Sequence, residues 1–448
     1  MDTRNNIYQK AVVLMVMVLP FYLLTFLPLK VSAQKFVGGD ISLLPTYEEH
    51  GANYMDMDGQ KITDLLAYLK EQGLNTMRVR LFVDPSKASA EAKGQGVRQD
   101  LEYVKNLGKR IKDTGLNFML DFHYSDTWAD PGQQTTPQEF MMVNTPAFEY
   151  IYTYTKASLE ALVAAGATPD FIQTGNEISF GMLWDGCKVS ANSDWNAYLD
   201  TNWDSFSTAL KNAARACREV CPGAKIIIHT EQCANNPTLD VAFFKRIQDN
   251  EVDYDIIGTS YYPYYKGPIS NLDNGLTQLE NNFPDKQIMI VETGCSYHYK
   301  MGNKETGYPL TYEGQRQYTA DLITMLNKHQ HVNGLFWWFL EANEYGLDWN
   351  TKRVTDGWYN ASLFDNETGR ALPALYELKV FLENDVSCIT GDANGDGFVN
   401  AADITEIVNY IMGTHSDKFI FKTADANEDG MVNTADIVSI TNIILTTT

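Results

Sequence analysis

The sequence predicts an α/β fold: a (β/α)8 barrel followed by a small all-α module. Two patterns carry this. From Phe36 to about Phe381, short apolar β-rich runs alternate with longer amphipathic runs, and after residue 390 an aspartate-rich segment occurs twice. The strand candidates are Phe36–Ser42, Thr76–Val83, Asn117–Tyr124, Asp170–Glu177, Lys225–Thr230, Asp255–Tyr262, Gln287–Thr293 and Gly334–Phe339. Between them, Lys61–Gln72, Val104–Thr114, Ala147–Ala164, Trp203–Val220, Val241–Asp249, Leu276–Asn282 and Gly314–Lys328 have helical periodicity. Strict strand–helix alternation means a parallel sheet, because parallel neighbours need a crossover between them. Eight such units fit a closed barrel with enlarged loops better than an open doubly wound sheet. No glycine-rich phosphate cradle follows the first strand, which weighs further against the open sheet.

The first 33 residues stand apart from this pattern. Arg4 and Lys10 precede an apolar run that continues to Leu29, and Val31-Ser-Ala33 supplies the small residues of a signal-peptidase site. The run is near spanning length, so an uncleaved anchor is the alternative. The expected division is 1–33 signal peptide, 34–385 barrel and 386–448 module, with the protein secreted: extracellular, cell-surface or periplasmic. Cleavage removes Arg4, Lys10, Lys30 and Asp2, taking the formal charge from −22 to −24 and leaving no membrane span. So acidic a chain disfavours nucleic acid and anionic lipid as partners. The six cysteines (Cys187, Cys217, Cys221, Cys233, Cys295 and Cys388) permit disulfides but form no small-scaffold framework, and no pairing follows from their spacing.

Barrel enzymes carry their chemistry at the C-terminal ends of the strands. Those ends here present Asp40; Arg78 and Arg80; Asp121, His123 and Asp126; Asn176 and Glu177; His229; Tyr261 and Tyr262; Glu292; and Trp338. Nearly every strand ends in a polar or aromatic side chain. Glu177 and Glu292 each close an apolar strand, 115 residues apart, and two such carboxylates are what a retaining glycosidase uses as acid/base and nucleophile. The Asp121-x-His123-x-x-Asp126 spacing hints at a metal, but its ligands alternate between strand faces, which argues against zinc.

Several runs resemble glycoside hydrolase family 53: Gly38-Gly-Asp-Ile-Ser42, Met77-Arg-Val-Arg-Leu-Phe-Val-Asp-Pro85, Asp121-Phe-His-Tyr-Ser-Asp-Thr-Trp-Ala-Asp-Pro131, Gly175-Asn-Glu-Ile178 with Gly181-Met-Leu-Trp184, Ser260-Tyr-Tyr-Pro-Tyr-Tyr265 and Val291-Glu-Thr293. The resemblance implies a secreted retaining endo-β-1,4-galactanase acting on pectic galactan or type I arabinogalactan, with Glu177 as acid/base, Glu292 as nucleophile and no cofactor for catalysis. Arg78, His229 and Tyr262 are expected to bond Glu292, and Asn176 the sugar 2-hydroxyl. Asp40, His123, Asp126, Trp128, Trp184 and Trp338 are expected to bind substrate, the tryptophans through their flat apolar faces. The chain departs from the family pattern at Ser179, where arginine is usual, at Trp338-Phe-Leu340, and after Glu292. Another endo-β-glycanase (mannanase or cellulase) and a non-catalytic glycan-binding barrel remain as alternatives.

The duplicated segment is Asp392-Ala-Asn-Gly-Asp-Gly-Phe-Val-Asn-Ala-Ala-Asp403 and, 33 residues on, Asp425-Ala-Asn-Glu-Asp-Gly-Met-Val-Asn-Thr-Ala-Asp436. Each copy places oxygen ligands at loop positions 1, 3, 5, 9 and 12, glycine at 6, and a backbone carbonyl at 7. Two calcium ions are expected, one on Asp392, Asn394, Asp396, Phe398, Asn400 and Asp403, the other on Asp425, Asn427, Asp429, Met431, Asn433 and Asp436. Each loop runs into an amphipathic helix. The pair resembles a type I dockerin, which implies docking to a cohesin-like protein through the helices.

Overall fold

The computed structural model describes residues 34–448 other than 349, 356, 358, 384–389, 396–397, 415, 417–418, 428–429 and 448. The expected signal peptide, Cys388, Asp396, Asp429 and the expected domain boundary lie outside the described residues. Eight parallel strands close in sequence order: β1 Phe36–Asp40, β2 Thr76–Leu81, β3 Asn117–Phe122, β4 Phe171–Thr174, β5 Lys225–Thr230, β6 Ile256–Tyr261, β7 Gln287–Thr293 and β8 Val332–Trp337. β8 pairs back onto β1, with Gly38 opposite Phe336, so no edge strand is left. Around the barrel lie α1 Leu65–Glu71, α2 Leu101–Thr114, α3 Ala147–Ala164, α4 Trp203–Val220, α5 Pro237–Asp249, α6 Ile269–Asn282 and α7 Tyr312–Leu326.

Capping explains where the helices depart from the expected bounds. α1 starts four residues later than expected because the Asp64 carboxylate caps it, accepting from the Ala67 N–H. α6 starts seven residues earlier, just after Pro268; its first turn, Ile269-Ser-Asn, is too polar to show apolar periodicity. β4 stops at Thr174, three residues short of Glu177.

Met119, Phe171, Ile227, Ile256, Met289, Val291 and Phe336 fill the barrel interior below the site, while the larger core lies between strands and helices. β1 has to be glycine-rich where it meets β2: a Cβ on Gly38 would lie 1.6 Å from the Thr76 carbonyl oxygen. Among the described residues no helix is long and apolar enough to cross a membrane. Cys187, Cys217, Cys221, Cys233 and Cys295 are buried and free.

The C-terminal module has its own small core of Ala393, Ile407, Ala424 and Ile440. Its two long helices are α8 Ala401–Ile411 and α9 Thr434–Thr447.

Candidate active site

At the C-terminal mouth of the barrel the floor is built around one guanidinium. Arg78 on β2 is fully buried; its Nη1 donates to Asp40 Oδ2 (3.1 Å) and its Nη2 to Asp121 Oδ2 (2.8 Å) and Asn176 Oδ1 (2.9 Å). The same Nη2 pairs with Glu292 Oε1 at 2.9 Å, and Nε donates to Gln173 Oε1 at 3.2 Å. A buried cation must be compensated, and here carboxylates from β1, β3 and β7 do so together. Burial alone would raise Asp121, yet Arg78 and then His123 hold it below the ordinary carboxylate value.

Glu292 faces this floor because of an irregularity in β7. Met289 and Val291 point into the barrel, so a period of two would turn Glu292 toward the helices. The pairing with β6 instead passes over Val291: Thr259 sits opposite Ile290 and Ser260 opposite Glu292. The slip turns Glu292 inward and sends the Thr293 hydroxyl out to Tyr318. Tyr262 Oη then donates to Glu292 Oε2 at 2.9 Å.

Glu177 arrives differently. After β4 the chain turns at Gly175, φ +108°, where a Cβ would also meet Ile178 at 2.8 Å. Glu177 itself sits at φ +48°, a left-handed conformation unusual for a side chain of this size and characteristic of functional turns. It is flanked by Glu292 and Glu231 and makes no ion pair among the described residues. Burial, then Glu292, then Glu231 push its carboxyl well up from the ordinary value. Burial raises Glu292 as well, but Arg78 opposes that rise and the Tyr262 hydroxyl donates to the anion. Of the two acids, Glu177 keeps its proton longer.

His229 does not bond Glu292 as expected. Two N–H donors, Gln173 Nε2 (2.8 Å) and the Glu177 backbone (3.3 Å), converge on its Nδ1, with Asn176 Oδ1 also at 3.0 Å. The ring proton therefore belongs on Nε2, which donates to Ser260 Oγ at 2.7 Å, and Ser260 reaches Glu292 Oε2 at 3.4 Å. Burial and Arg78 lower the His229 pKa far enough to keep the ring neutral.

The cleft above this floor has a volume of about 580 Å³ and is walled by Trp128 and Trp338, whose rings lie 6.0 Å apart. Arg80 backs both tryptophans at 4.8 and 5.1 Å. Four of the expected substrate contacts do not line the cleft. Asp40 is consumed by Arg78 and Arg80. His123 Nδ1 accepts from the Ala129 N–H and Nε2 faces Asp121, so it braces the loop after β3. Asp126 accepts from the backbone N–H groups of Asp84 and Gln138, and is used up in shaping that loop. Trp184 donates its indole N–H to the Phe180 carbonyl, and Lys188 covers its ring at 3.7 Å. Sequence reasoning missed Glu231, Lys266, Tyr265 and Phe339, which all line the cleft.

In the C-terminal module the two loops fold alike. Asp403 accepts from the backbone N–H groups of Asn394 and Asn400, and Asp436 from those of Asn427 and Asn433. The Asn400 and Asn433 side chains cap α8 and the start of α9 by accepting from Ala402 and Ala435. Asp392, Asp403 and Asp436 are fully buried, and Asp403 and Asp436 meet no lysine or arginine among the described residues. Phe398 and Met431, expected to give only a carbonyl, turn their side chains outward. Two buried carboxylates, Asp403 and Asp436, that meet no counter-cation among the described residues suit a hard divalent ion in an all-oxygen donor set. With Asp396 and Asp429 outside the described residues, no cluster of three acids or other metal-binding side chains is found among the rest.

A closed parallel barrel with two glutamates facing one cleft at its mouth, under a wall of tryptophans, is the architecture of a glycoside hydrolase. The chain belongs to glycosyl hydrolase family 53, whose model matches residues 36–378, and a dockerin type I domain model matches residues 390–445. Dockerin type I domains bind calcium. A Niallia circulans protein known only as an uncharacterized protein in the bgaB 5′ region is 32% identical over 78% of this chain and 94% of its own length. The endo-β-1,4-galactanase of Bacillus subtilis is 26% identical over 75% of this chain and 84% of its own. The family 53 catalytic domain of Ignisphaera aggregans superposes with a TM-score of 0.68 at 29% identity, covering 79% of this chain and 98% of that domain.

Proposed function

We propose that the barrel is a retaining endo-β-1,4-galactanase that cleaves internal bonds of pectic galactan or type I arabinogalactan. The observation that carries the mechanism is the unequal surroundings of two acids in one cleft. Glu292 is held by the Arg78 cation and the Tyr262 hydroxyl, whereas Glu177, half-buried at the cleft, has carboxylates for neighbours and no ion pair among the described residues. Glu292 then attacks the anomeric carbon while Glu177 gives its proton to the departing glycosidic oxygen. In the second half Glu177 takes a proton from water, whose oxygen displaces Glu292 and restores the β configuration. Asn176 has Oδ1 on Arg78 and one amide hydrogen on the Ala129 carbonyl, leaving its second N–H for the sugar 2-hydroxyl. Trp128 and Trp338 stack on pyranose faces. The choice of galactan rests on family membership and the relatives' activity.

Export by residues 1–33 belongs to the same reading. The test is to take protein from the culture medium, with its N-terminus expected at Gln34, and incubate it with β-1,4-galactan, β-mannan and carboxymethylcellulose. Galactan alone is expected to yield short oligosaccharides, born as the β anomer by NMR. Cleavage of mannan or cellulose instead would replace the substrate, and an α product would replace the mechanism.

We propose further that the C-terminal module takes two calcium ions on the twelve residues named for its loops and docks to a cohesin-like protein. Calcium neutralises the clustered carboxylates and so couples to folding. At 100-fold excess over Kd each ion would contribute about 2.7 kcal/mol. Calorimetry of the full chain is expected to show a module transition that moves down on EDTA and returns with calcium. Binding to a type I cohesin is expected to vanish with the metal. A transition indifferent to EDTA would remove the calcium assignment.

A further inference from the structure

Glu231 lies one residue beyond β5, is 2% exposed, and lines the same cleft as Glu177 and Glu292. Its Oε2 accepts from Ser179 Oγ at 2.8 Å and its Oε1 from Gln232 Nε2 at 2.5 Å. Both oxygens thus accept, an arrangement that favours the carboxylate form; burial raises the Glu231 pKa, and Lys266, Ser179 and Gln232 oppose that rise. Ser179 stands two residues after Glu177 on the same turn, so this hydrogen bond fixes Glu231 relative to the loop that carries Glu177.

Resting on the retaining reading above, we propose that Glu231 is a positioning residue for the Glu177 proton: a third carboxylate, held by Ser179 and Gln232 without a paired cation, that makes ionisation of Glu177 costly until the glycosidic oxygen takes the proton. The other charges facing this pair come from every neighbouring element. Glu292 from β7, backed by Arg78 from β2, acts in the same direction as Glu231. Lys266, after β6, lines the cleft and opposes them, forming no ion pair among the described residues. Asp240 on α5, itself pushed up to about 7 by burial, lies behind Glu231, and the neutral His229 adds no charge. Among the described residues, Glu231 is therefore the carboxylate beside Glu292 that acts on Glu177 without a salt bridge of its own.

The test is Glu231→Gln, which keeps shape and removes charge. The basic limb of kcat/KM is expected to move acidward by about one pH unit, the size of a nearby like charge, with the acid limb and KM unmoved. Glu231→Asp is expected to restore most of the shift. NMR titration of 13C-labelled glutamate should show the Glu177 carboxyl losing its proton at lower pH in Glu231→Gln, with no substrate present. An unmoved basic limb and an unmoved Glu177 titration in a folded variant would overturn the proposal. Should Glu231→Gln fail to fold, Ser179→Arg supplies the missing cation beside Glu231. It is expected to move the same limb and titration acidward, and no movement there would overturn the proposal equally. If the wild type leaves galactan intact while the NMR shift appears, the substrate reading fails and the role of Glu231 stands.

Discussion

Glu292→Ala is expected to lower kcat on galactan by at least about 10⁴-fold, in the range that losing a covalent nucleophile costs other hydrolases. The fold should survive. Arg78 keeps Asp40 and Asp121 as partners when the Glu292 carboxylate is gone, so no buried charge is stranded. The variant also opens space below the anomeric carbon. Added azide is expected to enter there, attack from the vacated face and expel the leaving group, giving a glycosyl azide of α configuration. An α-azide identifies Glu292 as the nucleophile; a β-azide, or unchanged galactan hydrolysis, would remove it from that role.

Glu177→Ala is expected to cost about 10²–10⁴-fold on galactan, the usual worth of a positioned general acid. The loss should shrink on a dinitrophenyl β-galactobioside, whose leaving group needs no proton. There the glycosyl-enzyme forms and then stalls, since nothing deprotonates water, and azide is expected to release it as the β-glycosyl azide. The pH profile gives a second reading. Activity needs Glu177 protonated and Glu292 ionised, so wild-type rate falls with rising pH as Glu177 ionises, and with falling pH as Glu292 protonates. In Glu177→Ala the basic limb should disappear and the acid limb remain. A basic limb that persists would assign it to another group.

The barrel was legible because nearly every strand is a short apolar run closed by a polar or aromatic residue, a pattern that survives without knowledge of packing. Strand ends also pointed to Glu177 and Glu292, since that rule needs only position along the chain. It could not tell which end groups face open space. Asp40 and His123 end their strands as Glu292 does, but Arg78, Arg80 and the Ala129 N–H consume them. The same rule extended one residue past β5 would have found Glu231. Gln173 was hidden inside an apolar strand, and its signal was its own misfit there: a buried glutamine in Phe171-Ile-Gln-Thr174 requires polar partners. The inward turn of Glu292 was beyond reach, because the slip at Val291 exists only in the pairing of β7 with β6.

The shared guanidinium of Arg78 has a consequence for how such an enzyme can change. Its three nitrogens reach five groups on β1, β3, β7 and the β4 segment, a fork that lysine cannot imitate. The floor is therefore one part built around a single cation: an acid can be lost while Arg78 keeps the others, but the guanidinium itself cannot be exchanged. The rim has no such common centre: Gln95, Gln133 and Lys266 come from separate loops, and Thr355 with Gly357, which bond only to each other among these, from a fourth. Diversification toward new glycans has freedom only there, and an engineer grafting loops onto this chain could alter its diet while leaving its chemistry alone.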